Sequence, residues 1–258
     1  MCECTLAGSS RAAYPVFILL GIAAAYLTSR YVFLPMHRKK RPAGPLTAGD
    51  LHTCILGAVP GIVIGARIFY VLLHWSYYSP NPISVLFLWE GGFVFHGGLA
   101  GGLAASAAVC RIRRIRWLET ADLASAPISL GYAVGRIGCF FNGCCAGIPS
   151  IHPWAMVFPI LGPDPRHPAQ LYAAAAGLLL FILLFLIYRR TASVSRTFGW
   201  FLLLHGIYRI VIEQIRYEPV VIFFMTHGEF FSILIIIAGL VVIRRSIFTR
   251  TSEGRYEI

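Results

Sequence analysis

The chain has 258 residues, of which 57% are hydrophobic and 13% charged, and its mean hydropathy is +0.71. A soluble domain carries about a quarter charged residues, so this chain lacks the polar surface that would keep it in water, and its long apolar runs assign it to the bilayer. The formal charge of +11 would suit a nucleic acid, but the basic residues gather in short clusters between apolar runs and form no aromatic-interleaved face. That pattern excludes nucleic-acid binding and fits cytoplasmic loops facing anionic lipid.

The first apolar segment runs from Tyr14 to about Leu34, with one Arg before it and the cluster Arg38-Lys39-Lys40-Arg41 after it. A cleaved signal peptide carries its positive charge first and a small-residue cleavage site behind its apolar core; neither is present, so the segment reads as a retained helix with its N-terminus outside. Further segments cover residues 51–73, 92–109 and 118–138. A stretch rich in Gly, Pro and Cys follows, from Cys139 to Pro168, and the last three segments cover 169–188, 198–215 and 230–243. At 1.5 Å per residue, stretches of roughly 18–23 residues cross a hydrocarbon core about 30 Å thick. Pro15, Pro60 and Pro127 lie inside or near these segments and can kink them.

Alternate loops differ in charge. The loops after the first, third and fifth segments and the C-terminal tail hold fifteen of the 22 basic residues, while the opposite loops hold Arg11, Arg166 and Arg216. Fifteen against three sets the orientation. The expected architecture is therefore all-α: a polytopic bundle of seven transmembrane helices forming one membrane domain over 1–258, N-terminus out and C-terminus in, with the 139–168 segment outside.

Most ionisable residues are in loops, but five within the apolar segments stand out: Arg67, His96, Arg136, Arg209 and Glu213. A charge at mid-bilayer costs roughly 2.5–3.5 kcal/mol even on lenient insertion scales, so each such residue needs a partner, a wet cavity or a polar ligand. Arg209 and Glu213 are spaced i, i+4 and can pair on one helix face, as a structural ion pair or as part of a site. With the N-terminus outside, all five lie in the central or outer half. Three arginines exceed the one carboxylate, and the surplus positive charge calls for an anion. In a membrane the common anion is a phospholipid phosphate, which the planar guanidinium fork grips through two oxygens.

Three stretches concentrate chemistry. Residues 91–102 pack glycines around His96, which suits close helix contact as well as substrate approach; a buried His is either a hydrogen-bonded core residue or a functional one. The run from Gly135 to Gly147 ends a helix with Arg136 and turns through Gly, Asn and Cys, residues that can aim backbone N–H groups at an anion. Its cysteines, Cys139, Cys144 and Cys145, fit a metal site, a disulfide or simple packing. Adjacent Cys144-Cys145 without a CxxC is poor zinc spacing, so no metal is expected. Cys54 and Cys110 look like small hydrophobes. The third stretch, His167-Pro168-Ala169-Gln170-Leu171-Tyr172, opens the fifth helix, with a Pro that is ordinary at a helix start.

These motifs together resemble those of the prolipoprotein diacylglyceryl transferase family. Gly65-Ala66-Arg67 with Tyr70-Val71 resembles its second-helix motif, and Phe95-His96-Gly97-Gly98-Leu99 its histidine motif. Gly135-Arg136-Ile137-Gly138 with Phe140, Asn142-Gly143 and Gly147 is similar to its signature. His167 to Tyr172 matches almost letter for letter. Tyr208 to Glu213, with Arg216 and Pro219, resembles the sixth-helix motif, and Gly228-Glu229-Phe230-Phe231-Ser232 the start of the last helix. Two departures stand in the signature: Cys139 where the family usually has Asn, and Cys144 where it has Glu.

The resemblance implies an integral enzyme of the bacterial cytoplasmic (inner) membrane. Its donor would be phosphatidylglycerol, its acceptor the lipobox cysteine that follows a prolipoprotein signal peptide, and its second product glycerol phosphate, with no cofactor or metal. It implies functional roles for His96, Arg136, Asn142, Gly147, Arg209 and Glu213, and sets Tyr14 where the family has an essential first-helix tyrosine. On this reading Arg136 and Arg209 bind the phosphate, Glu213 orients Arg209, and His96 serves as general base or orients the headgroup. Arg67, Tyr14 and His167 join Arg136, Asn142 and Gly147 as expected lipid-binding residues. The two departures leave room for the same donor with a different acceptor. An anion transporter or a non-catalytic lipid-binding scaffold are the other classes; the paired broken helices of a transporter are not visible in the sequence.

Overall fold

A computed structural model of the chain describes residues 13–40, 46–87, 92, 94–191, 195–216 and 226–253. It is helical almost throughout. A first helix, α1 (Ala13–Thr28), passes through a π-helical turn at Ser29–Phe33 into α2 (Leu34–Lys40). Then come α3 (Ala48–Leu73), the single turn α4 (Trp75–Tyr78), a 3₁₀ turn at Pro82–Leu86, α5 (Phe95–Ile112) and α6 (Trp117–Phe141). Beyond a loop that carries the short hairpin β1 (Met156–Val157) and β2 (Pro165–Arg166) lie α7 (Ala169–Arg190), α8 (Arg196–Glu213) and α9 (His227–Glu253).

The apolar segments of the sequence correspond to these helices, with shifted ends. The first helix does not stop near Leu34 but continues to Lys40, so Arg38, Lys39 and Lys40 occupy its last turn, where cations complement the negative end of the helix dipole. Helix α6 continues to Phe141, so Cys139 stands on its last turn and not in the loop. Pro60 and Pro127 both lie inside helices. Helix α3 opens on a capping box, Thr47 with Asp50, of the kind that satisfies first-turn N–H groups.

Four helical stretches are long and apolar enough to cross a membrane: Tyr14–Lys40, Ala48–Leu73, Ala169–Arg190 and Gly228–Ile247. Helix α5 is apolar but shorter. Helices α6 and α8 carry ionisable residues along their length: Glu119, Asp122 and Arg136 on one, Arg196, Arg209 and Glu213 on the other. Leucines and isoleucines such as Leu19, Leu72, Leu179 and Ile237 are exposed on the outside of their helices, as a lipid-facing surface requires. The chain is an α-helical membrane protein.

The chain divides into two compact units. One covers Ala43–Thr120 and is built on α3 against α5. Their contact is a seam of small residues: a Cβ added to Gly61 would lie 2.5 Å from the carbonyl oxygen of Gly101, and one on Gly65 would lie 2.8 Å from Gly101 Cα. Only glycine lets two backbones come this close, and in lipid such contact replaces the hydrophobic drive as the source of helix association. At the far end of the seam Cys54 and Cys110 meet, Sγ to Sγ 3.3 Å, both buried.

The other unit holds α1, α2, α7, α8, α9 and α6 from Ala121 onward. Helix α1 meets α6 at Gly21 and Gly131 and through stacked Phe17 and Phe141, centroids 5.2 Å apart. Helix α2 is tied to the end of α7 by His37 Nδ1 to the Tyr188 hydroxyl at 3.1 Å and by Lys40, which donates to the carbonyls of Tyr188 and Thr191. Helix α7 packs Gly177 on Ser129, Tyr132 and Ala133 of α6.

Candidate active site

Two contacts set α8 against α6. The Asp122 carboxylate accepts from the backbone N–H of Phe198 at 2.8 Å, in the first turn of α8 where an orphan donor needs a partner. Ten residues on, the hydroxyls of Tyr132 and Tyr208 share a hydrogen bond of 2.8 Å. Both pairs are 76 residues apart, so the helices run parallel and in step for about 15 Å.

That register brings two arginines into one neighbourhood. Arg136 stands one turn beyond Tyr132; its Nε donates to the Tyr132 hydroxyl at 3.0 Å and its guanidinium lies 5.1 Å from the centre of the Tyr132 ring. Its two terminal nitrogens have no hydrogen-bond partner among the described residues. Arg209, next to Tyr208, donates through Nη2 to Glu213 Oε2 at 3.0 Å, the carboxylate side chain being fully buried and the arginine 16% exposed. His205 completes the group, its ring 5.7 Å from Tyr132 and 5.8 Å from Tyr208, within electrostatic reach of both arginines. The arrangement groups two guanidinium groups and an imidazole around a pair of phenols, with the Arg136 fork held by its inner nitrogen and its terminal nitrogens unclaimed among the described residues.

Glu213 is held from a second direction. Thr226, just before α9, donates its hydroxyl to Glu213 Oε1 at 3.2 Å and forms a capping box with Glu229: the Thr226 N–H donates to Glu229 Oε2 at 2.9 Å, and the Glu229 N–H to Thr226 Oγ1 at 3.1 Å. The Glu213 carboxylate thus sits at the positive end of α9, against Gly228, where any side chain would collide with it. A carboxylate so placed fixes the orientation of Arg209.

Beyond Arg136, the turn after α6 supplies the remaining expected residues. Asn142 is buried, and its Nδ2 has no partner among the described residues. Gly147 donates its N–H to the His167 carbonyl at 2.8 Å, and a Cβ there would lie 2.8 Å from the Ile215 carbonyl oxygen, so glycine is required for the strand-like contact of this loop with the end of α8. His167 Nδ1 meets the Tyr172 hydroxyl at 3.2 Å, and Gln170, fully buried, donates to the carbonyl of Cys144 at 2.6 Å. Tyr14 stands in the first turn of α1, half-buried, its backbone close to Gly138 of α6.

Arg67 and His96 belong to the other unit. Arg67 is buried, and its guanidinium donates to the carbonyls of Val85 at 2.9 Å, Ser84 at 3.0 Å, Phe87 at 3.2 Å and Gly92 at 3.4 Å, over the Tyr78 ring. Expected from sequence to touch lipid, it spends these donors on the backbone and so organises the turn between α4 and α5. His96 stands in the first turn of α5, and its side chain lies outside the described residues, as do Cys2, Cys4 and Pro219. Sequence reasoning did not single out Tyr132, His205 or Thr226, although the spacing 132, 136 on one helix and 205, 208, 209, 213 on another is a polar stripe of helical period.

Comparison with known proteins identifies the family. A family profile described as prolipoprotein diacylglyceryl transferase matches residues 5–245. A phosphatidylglycerol–prolipoprotein diacylglyceryl transferase from Methylococcus capsulatus is 35% identical over 247 residues, covering 93% of this chain and 92% of that protein. Proteins of the same name from Rhodospirillum rubrum and Nitrosospira multiformis are 36% and 33% identical, covering 89% of this chain each and 85% and 80% of their own lengths. The chain belongs to the prolipoprotein diacylglyceryl transferase family.

Proposed function

We propose that the chain moves the diacylglyceryl group of phosphatidylglycerol to the lipobox cysteine thiol that follows a prolipoprotein signal peptide. The observation that carries the reading is the Arg136 guanidinium, braced through Nε by Tyr132 with its terminal nitrogens unclaimed, beside an Arg209 already committed to Glu213. The phosphate of the lipid takes the fork of Arg136, and Arg209 shares the charge. The acceptor thiolate attacks the glyceryl carbon, the carbon–sulfur bond forms, and the carbon–oxygen bond to phosphate breaks with its electron pair passing to the phosphate oxygen. Glycerol phosphate leaves, its charge met by guanidinium groups that need no reorganisation. The thiol proton passes to a general base; the family resemblance assigns His96 that role or the orienting of the headgroup, and Asn142, Gly147, His167 and Tyr14 bind lipid or shape the walls around it. No cofactor takes part.

We infer seven crossings, the N-terminus out and the C-terminus in, as one membrane domain of a bacterial cytoplasmic membrane, with the site opening to the outer leaflet. The fifteen-to-three distribution of basic residues supports the orientation. The parallel course of α6 and α8, with α7 between them in the chain, suits one crossing each. Cys139 and Cys144, standing where the family usually has Asn and Glu, favour a second reading in which the donor is unchanged and the acceptor is another thiol. The test is incubation of the purified protein with labelled phosphatidylglycerol and a lipobox peptide. Transfer of label to the peptide cysteine, lost in Arg136→Ala, is the expected result; release of glycerol phosphate without peptide labelling would favour the second reading, and neither product would defeat both.

A further inference from the structure

The proposed transfer assigns no role to Cys139, Cys144 and Cys145, yet the fold gathers them. Cys139 lies on the last turn of α6, and the turn that follows reverses through Gly143 and through Cys145, whose φ of +64° is left-handed. Adjacent cysteines on an extended chain project apart, which is why their spacing argued against a metal; the reversal at Cys145 removes that objection. None of the three is in a disulfide, their Sγ atoms lie within 4.8 Å of one another, and the Cys144 and Cys145 sulfurs are 3.8 Å apart. Sulfurs bound at about 2.3 Å around a tetrahedral metal stand about 3.8 Å apart, so little movement would be needed to close them on one ion.

The turn is braced for this. Gln170 holds the Cys144 carbonyl at 2.6 Å from a fully buried position, and Cys139 and Cys144 are themselves buried. Three thiolate ligands select soft cations. No His, Asp or Glu joins the group among the described residues, and a structural zinc would want four ligands. We propose that Cys139, Cys144 and Cys145 form a three-sulfur site for a soft monovalent cation of the Cu(I) class. Binding releases three thiol protons to solvent and leaves a metal–thiolate group of charge −2. Arg136, within electrostatic reach of Cys139 and Cys145, is the cation beside it. The inference does not depend on which acceptor the enzyme uses.

The chain has seven cysteines, so the test first removes the others. In a full-length chain carrying Cys2→Ser, Cys4→Ser, Cys54→Ser and Cys110→Ser, purified in detergent under reducing conditions, Cu(I) is titrated against a colorimetric chelator. One Cu(I) per chain is expected, with X-ray absorption showing sulfur neighbours only. Adding Cys145→Ser should weaken binding at least tenfold while the thermal midpoint without metal is kept, Cys145 being the half-buried member; Cys139→Ser is the second variant if that one is poorly folded. Copper bound equally well after loss of Cys139 or Cys145, no stoichiometric copper at all, or a stoichiometric zinc that copper cannot displace would each overturn the assignment.

Discussion

Replacing Glu213 with Gln keeps the shape of the side chain and removes one buried charge. The carboxylate accepts from Arg209 Nη2 at 3.0 Å and from Thr226 Oγ1 at 3.2 Å; the amide would turn one of those acceptors into a donor facing a donor. Breaking a fully buried ion pair costs about 3–5 kcal/mol. Arg209 keeps 16% of its exposure and recovers some hydration, which lowers the expected loss of stability to about 2–3 kcal/mol. Removing negative charge from the start of α9 adds about 0.3–1 kcal/mol. A purely structural pair would change stability alone. If Glu213 also aims Arg209 at a phosphate, kcat/KM falls a further 10- to 100-fold, about 1.4–2.8 kcal/mol of lost transition-state binding. Gly228→Ala approaches the same carboxylate with its charge intact: the new Cβ would lie 2.5 Å from Glu213 Cδ and 2.7 Å from Oε2, so the carboxylate must shift. Thermal unfolding in detergent and transfer from labelled phosphatidylglycerol, assayed well below either midpoint, separate the two effects. We expect activity to fall from wild type to Gly228→Ala to Glu213→Gln. Wild-type kcat/KM in both variants, whatever their stability, would show that the position of Arg209 is irrelevant to transfer.

Other expectations test separate parts of the molecule. Arg136→Lys should not restore the activity lost in Arg136→Ala, because an ammonium keeps the charge without the two-pronged fork; transfer by the Lys variant near the wild-type rate would argue against bidentate phosphate binding. Tyr132→Phe removes the hydroxyl that accepts from Arg136 and pairs with Tyr208; a loss of about tenfold in kcat/KM, near 1.4 kcal/mol, is expected, and an unchanged rate would mean Arg136 needs no brace. Gly61→Val should split the α3–α5 seam and lower the thermal midpoint, whereas Gly49→Ala, with only the Thr47 side chain near its Cβ at 3.6 Å, should not. Thiol labelling of single cysteines introduced at Pro80 and Pro149 should succeed from outside the cell and fail at Ile115; protection of Pro149 would reverse the proposed orientation.

The helices were legible because hydrophobic runs broken by charge and by Gly or Pro leave few alternatives in a chain this apolar. Their ends were less so: Arg38 to Lys40 read as a loop by charge, yet a helix end welcomes cations, and α2 runs through them. Arg136, Arg209 and Glu213 stood out since a charge within an apolar run needs a reason. Tyr132 and His205 did not, for a tyrosine or histidine in a membrane helix is unremarkable by composition and gains meaning only from the partner that another helix brings. Arg67 shows the opposite limit. The same reasoning that flags a buried arginine cannot tell whether backbone carbonyls or a ligand will receive its donors, and here four carbonyls do.

One part of the site was written in the sequence as packing. Gly199, Gly206 and Glu213 recur every seven residues along α8, the period of a helix–helix seam. Across it on α9 stand Gly239 opposite Gly199 and Ser232 opposite Gly206: a Cβ on Gly239 would lie 2.9 Å from the Gly199 carbonyl oxygen, and one on Gly206 would lie 3.0 Å from that of Ser232. The helices therefore run antiparallel in close contact, and one more turn pair carries the seam seven residues on from Gly206 to Glu213 and six residues back from Ser232 to Thr226, the threonine that caps α9. At that point the small residue on α8 is replaced by a carboxylate, and the partner helix ends, offering a hydroxyl, a glycine and the positive end of its dipole. The close glycine contacts are thus what bring the start of α9 within reach of Glu213. A bulky residue at Gly206 or Gly199, about two and four turns before Glu213, would disturb Arg209 by moving the partner of its partner.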